Sequence, residues 1–125
     1  MLELKIGNRR VYDYKLTIDG DSLGTGVAGA LGDVVEGHWM VKADPTDANE
    51  DSVIKISYNP AIPNANFQIN TPDAGWVRIT VPSSMTKNLS PQEGYFALQL
   101  SWGADNEQEW VIGDGMIRFC QDTIR

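Results

Sequence analysis

Apolar and polar residues alternate with a period of two along most of this chain, the pattern of β-strands with one buried face. Between Val11 and Ile18, Tyr12, Tyr14, Leu16 and Ile18 share a face, with Asp13, Lys15 and Thr17 on the other. Between Trp76 and Val81, Val77, Ile79 and Val81 point inward, and Trp76, Arg78 and Thr80 outward. Phe96, Leu98, Leu100 and Trp102 form the inward set of a strand from Tyr95 to Trp102, and Ile54, Ile56 and Tyr58 that of one from Val53 to Tyr58. His38 to Lys42 and Asn66 to Asn70 read as shorter strands, and Glu109 to Ile112 and Gly115 to Cys120 as two separate C-terminal pieces.

Residues with turn chemistry separate these runs: Asp19-Gly20, Asn59-Pro60, Thr71-Pro72-Asp73-Ala74-Gly75 and Gly113-Asp114-Gly115. Asn64 to Val81 reads as a hairpin closed by Gly75. One short helical turn is predicted from Ser83 to Leu89, opened by Pro82 and Ser83 and stopped by Pro91. No long stretch shows a 3.6-residue apolar period. The expectation is an all-β chain forming a single antiparallel β-sandwich over residues 1–125, or a small barrel, with about seven to eight strands and a glycine-rich loop over residues 19–37.

Composition narrows the function classes. The 125 residues suit one domain, with four tryptophans and three phenylalanines to fill the space between two small sheets. A net charge of −7 argues against nucleic acid and against anionic membrane surfaces as partners. No apolar run is long enough for a transmembrane helix. The start, Met1-Leu2-Glu3-Leu4-Lys5, lacks the apolar run of a signal peptide. With one cysteine, Cys120, and one histidine, His38, the chain can form neither an intrachain disulfide nor a zinc site built from several of these residues.

Three strings imitate functional motifs. Gly20-Asp21-Ser22-Leu23 has the letters of the GDSL nucleophile block, but that chemistry needs a histidine base, usually near the C-terminus, and oxyanion donors. The single histidine, His38, is early, and the long helices of such enzymes are absent, so a strand end with a turn is the better reading. Gly24-Thr25-Gly26-Val27-Ala28-Gly29 spells GxGxxG, yet the residues after it, through Gly32, make a poor helix, so the segment reads as an inter-strand loop and no cofactor is expected. The run from Asp44 to Asp51 carries six oxygen-bearing side chains. Asp44, Asp47, Asn49 and Asp51 are therefore calcium candidates, although their order is not that of an EF-hand; the other reading is a solvated turn whose side chains bond local amides. Cys120 reads as a half-buried structural thiol. Trp76, on the polar face of its strand, either marks a contact surface for a protein or a sugar or is covered by the Ser83 to Leu89 segment.

The order of these pieces resembles the immunoglobulin-like β-sandwich of structural proteins from tailed bacteriophages, including the N-terminal modules of baseplate and tail-fibre proteins of the BppU type. The resemblance is carried by residues 38–49 (HWMVKADPTDAN), 53–56 (VIKI), 73–82 (DAGWVRITVP), 86–100 (TKNLSPQEGYFALQL) and 113–123 (GDGMIRFCQDT). It covers nearly the whole chain, departing in the longer, glycine-rich loop from Asp19 to Gly37. It implies a non-enzymatic virion component without catalytic residues or cofactor, acting in a tail, baseplate or fibre adaptor, or as a capsid-decoration or neck protein. Its partners would be other virion proteins, with homo-oligomers in the assembly and no nucleic acid or membrane. Its location would be the virion, assembled in the bacterial host cytoplasm, where a lack of disulfides is expected. With no appended domain expected between Met1 and Arg125, such a protein works through its surface. A small glycan-binding module is the alternative from another class.

Overall fold

The computed structural model describes residues 2–15, 17–18, 21–22, 34–62, 64–69, 75–102 and 108–121. Within them the strands are β1 (Leu2–Lys5), β2 (Arg10–Lys15), β3 (Thr17–Ile18), β4 (Asp21–Ser22), β5 (Val34–Lys42), β6 (Ile54–Tyr58), β7 (Phe67–Ile69), β8 (Trp76–Val81), β9 (Gln92–Trp102) and β10 (Gln108–Cys120). Five strands form one sheet in the order β1-β10-β9-β5-β6, three form a second in the order β2-β8-β7, and β3 and β4 make a small hairpin. This is the immunoglobulin arrangement: β2, β8 and β7 stand where strands B, E and D stand, and β10, β9, β5 and β6 where G, F, C and C′ stand. The expected all-β sandwich is therefore the fold. One pairing departs from an all-antiparallel design, because β1 runs parallel to β10, with Leu2 opposite Ile117 and Lys5 opposite Cys120. The chain reverses at Gly7, whose φ of 83° suits glycine, and crosses from the five-stranded sheet into the three-stranded one at β2.

The core is where the inner faces meet. Tyr12, Val77, Ile79 and Val81 of the three-stranded sheet pack against Leu4, Trp39, Val41, Leu98, Leu100, Ile117 and Phe119 of the five-stranded one. Trp39 lies at the centre of it, fully buried on β5, with its ring stacked between Tyr12 at 5.6 Å and Phe96 at 6.3 Å. Its indole N–H donates to the Tyr14 hydroxyl over 3.0 Å, so the polar atom carried inward by the ring is satisfied. Truncating such a ring to Ala costs about 3–5 kcal/mol.

Two strands keep this pattern only by means of bulges. On β5 the register shifts between Val34 and Glu36. A strict period of two would place Val34 on the same face as Glu36 and His38; the extra residue turns Val34 into the core, where it is 2% exposed. On β10 the register shifts between Val111 and Gly113. Gly113-Asp114-Gly115, read from sequence as a turn between two strands, instead lies inside one continuous strand. Gly115 is a glycine for packing, since a Cβ there would sit 3.1 Å from the Phe96 ring.

Other expectations shift in detail. The helical turn begins at Pro82 as expected, but only Ser83–Met85 forms a 3-10 helix, followed by turns. Thr80, placed outward by alternation, is 7% exposed. The loop expected over residues 19–37 contains β4 and the start of β5, and the glycine-rich part between them lies outside the described residues. The Asn64 to Val81 hairpin is realised as β7 and β8, and Gly75, with φ 88°, precedes β8.

Candidate functional site

The acidic turn follows β5. Asp44 Oδ1 accepts from the Thr46 amide and hydroxyl at 2.9 and 2.8 Å, and these bonds hold its carboxyl below the usual carboxylate range. Asp47 Oδ2 accepts from the Asp44 amide at 3.2 Å. Asn49 and Asp51 lie in a 3-10 turn, and Asn49 Oδ1 accepts from the Lys42 ammonium at 2.7 Å rather than from a local amide. Of the four calcium candidates, Asp44 and Asp47 thus fold the turn and Asn49 ties it back to β5, while Asp51 joins through its backbone amide, which donates to the Ala48 carbonyl at 3.0 Å. Among the described residues no group of three His, Cys, Asp or Glu is placed to hold a metal ion.

Ser22 lies in the backbone of the β3–β4 hairpin, and the Gly24 to Gly32 segment lies outside the described residues. Cys120 is half-buried at the end of β10, next to Lys5 of β1. Trp76 opens β8 opposite Lys15 and is half-buried. The Ser83 to Leu89 segment follows the far end of the same strand, roughly 17 Å away at the usual rise per residue, and so does not cover it.

The side chains that do converge lie on the outer face of the five-stranded sheet, and strand register brings them together. Lys42 of β5, Tyr95 of β9 and Met116 of β10 form one row; Met40, Ala97 and Asp114 form the next. The turn after β5 adds Pro45 and Asn49 as a wall, and the result is a groove of about 400 Å³. Met40 is only 4% exposed yet stands outside the core cluster, because it is the floor of this groove. Tyr95 and Met116 are 39% and 38% exposed, an adjacent apolar pair beside Met40 and Ala97. Among the described residues no cation pairs with Asp114, whereas Glu93 is paired with Arg118 at 3.0 Å and Asp13 with Arg78 at 2.8 Å.

A polar row adjoins the groove on the same face. Glu36 Oε1 lies 2.7 Å from His38 Nε2, and His38 Nδ1 lies 2.8 Å from Ser57 Oγ on β6. Serine, imidazole and carboxylate in a chain are the parts of a hydrolase relay. The sequence shows Glu36 and His38 two apart on one strand face; only the pairing of His38 with Ser57 completes the row. Acyl transfer also requires amides converging on a developing oxyanion. The amides of β5 and β6 lie in the plane of the sheet, beneath the row, and do not converge above Ser57.

No protein-family model matches this chain, and no curated protein matches its sequence.

Proposed function

We propose that this chain is a non-enzymatic structural component of a tailed-phage virion, a tail, baseplate or fibre-adaptor protein that works by docking onto other virion proteins and onto copies of itself. It would be built in the bacterial host cytoplasm and located in the virion. Three things support this reading: the sequence resemblance, an immunoglobulin-like strand order compatible with it, and a surface suited to contact rather than catalysis. The observation that carries it is the groove on the outer sheet face, with Tyr95 and Met116 exposed side by side above Met40. Exposed aromatic and methionine side chains over a concave apolar floor are the composition of protein contact sites.

The test is the particle itself. Density-purified tailed particles from the source culture are digested and examined by mass spectrometry, and the chain is then located in a reconstruction. Its presence in stoichiometric amount supports the reading, and its position distinguishes tail or baseplate from capsid decoration or neck. Absence from the particles overturns it. The glycan-binding alternative relied on an exposed Trp76 beside another aromatic. Trp76 is half-buried, with Lys15 as its cross-strand neighbour, so Trp76 does not favour that reading.

A further inference from the structure

We propose that the groove on the outer face of the five-stranded sheet receives a basic segment of another protein, which inserts one large apolar side chain between Tyr95 and Met116. This rests on the docking function proposed for the chain and names the partner's chemistry.

The floor sets the first requirement. Met40 and Ala97 lie beneath, Tyr95 and Met116 stand over them, and the space of about 400 Å³ is small, with room for one bulky side chain rather than a helix. Two thioethers in the lining adapt to a ring or a branched aliphatic group.

Charge sets the second. The wall that contributes Pro45 and Asn49 is the turn that also carries Asp44, Asp47, Glu50 and Asp51, and Asp114 stands across the groove. Two cations stand near it: Lys42, whose ammonium donates to the neutral Asn49 side-chain carbonyl and keeps its charge, and Lys55, opposite Met40. The carboxylates of Asp114 and the acidic turn outnumber them. A lysine or arginine flanking the inserted side chain would meet Asp114 on one side and the acidic turn on the other, and the chain's net charge of −7 draws such a segment in. A second copy of this chain would bring the same acidic walls against these. Strand addition is also poorly served. Edge strand β1 has four residues with Glu3 and Lys5 among them, and the Tyr12 hydroxyl donates to the Glu3 carbonyl at 3.1 Å. On edge strand β6, the Asn64 side-chain amide donates to the Ser57 carbonyl at 2.9 Å.

The full chain is immobilised and a random dodecapeptide library is selected on it, in parallel with the double variant Tyr95→Ser/Met116→Ser and with Asp114→Lys. All three positions are exposed, and thermal melts confirm that the variants fold. The expected peptides carry a large apolar residue within three positions of Lys or Arg. When synthesised, they bind the native chain with a Kd on the order of 10 μM. They bind the double variant at least about tenfold more weakly, and Asp114→Lys about three- to tenfold more weakly. Their affinity falls as salt rises from about 50 to 300 mM. Selected peptides that depend on Tyr95 and Met116 but lack basic residues overturn the assigned charge and leave the docking reading standing. Peptides indifferent to both variants, or no selected peptide binding below about 1 mM, overturn the groove as a binding site and remove the observation that carries the docking reading. Sedimentation showing a native dimer that the double variant abolishes assigns the groove to a second copy, which also overturns the proposal.

Discussion

Replacing Tyr14 by Phe separates two contributions that its hydroxyl makes to the core. At pH 8 the phenol accepts the Trp39 indole N–H at 3.0 Å, and Trp39 is fully buried. In Tyr14→Phe that donor has no acceptor, a loss of about 1–3 kcal/mol, or roughly 5–10 °C in Tm at the middle of that range. The second contribution depends on pH. Burial is the main cause that pushes the Tyr14 phenol from 10.0 up to about 12, partly offset by the Trp39 bond. A folded pKa above the unfolded one means that the native state favours the neutral phenol. That stability is complete below pH 10 and is lost as pH rises toward 12. At pH 11 the loss from this one group is about 1.4 kcal/mol. The Phe variant lacks it, while Tyr12, also raised by burial, remains in both proteins. Urea denaturation at pH 8 and pH 11 should therefore show the native chain ahead by about 2 kcal/mol at the lower pH and by under about 1 kcal/mol at the higher. A gap that stays constant or widens with pH, or that is below about 0.5 kcal/mol at pH 8, would refute the burial of this phenol against Trp39.

Three other substitutions probe separate contacts. In Gly37→Ala the new Cβ would meet Phe67 Cζ at 2.9 Å and Leu100 Cδ2 at 3.0 Å, both in the core, so the urea midpoint should fall by the equivalent of about 1–3 kcal/mol; an unchanged midpoint contradicts the packing of Phe67 over β5. Thr86 is fully buried, and its hydroxyl accepts the Gly7 amide at 2.9 Å. Thr86→Val should cost about 1–3 kcal/mol in a thermal melt and Thr86→Ser distinctly less, and a loss in Thr86→Ser as large as or larger than that in Thr86→Val would refute the hydrogen bond as the main contribution. Ser57→Ala should change stability by less than about 1 kcal/mol, and the native chain should take up no fluorophosphonate probe. Covalent labelling that disappears in Ser57→Ala would establish the Glu36–His38–Ser57 row as a working relay.

The parts of the fold visible in the sequence were those where one residue in two is buried without interruption. β6 is of this kind, with Ile54 and Ile56 buried and Lys55 between them exposed, and β8 is too up to Ile79, beyond which Thr80 is buried with Val81. Bulges hid the rest. Val34 falls out of phase with Met40 and Lys42 because of the extra residue near Glu36, so β5 looked five residues long and is nine. Gly113 and Gly115 carry turn chemistry, but glycine at 115 answers to the Phe96 ring lying across the strand, a contact between strands that local pattern does not contain. The same limit applies to the functional face. Tyr95 and Met116 become one patch, and His38 and Ser57 one row, only through cross-strand register. The acidic turn was legible as a turn because Asp44 and Asp47 bond within it, whereas the Asn49 bond to Lys42 reaches back to the strand.

The parallel pairing of β1 with β10 sets the order in which the molecule can be completed. Leu2 pairs with a strand neighbour at Ile117, and Leu4 with Phe119, so β1 has no partner in this sheet until β10, more than a hundred residues later, has been made. Until then Leu4, fully buried in the finished sheet, is exposed to water. Closure of so long a loop makes this a late and slow event, favouring a nucleus among β5, β9 and β8 with β1 added at the end. Release of β1 by a single local opening would then uncover the edge of β10, making hydrogen exchange at the β1 amides the most sensitive reporter of partial unfolding.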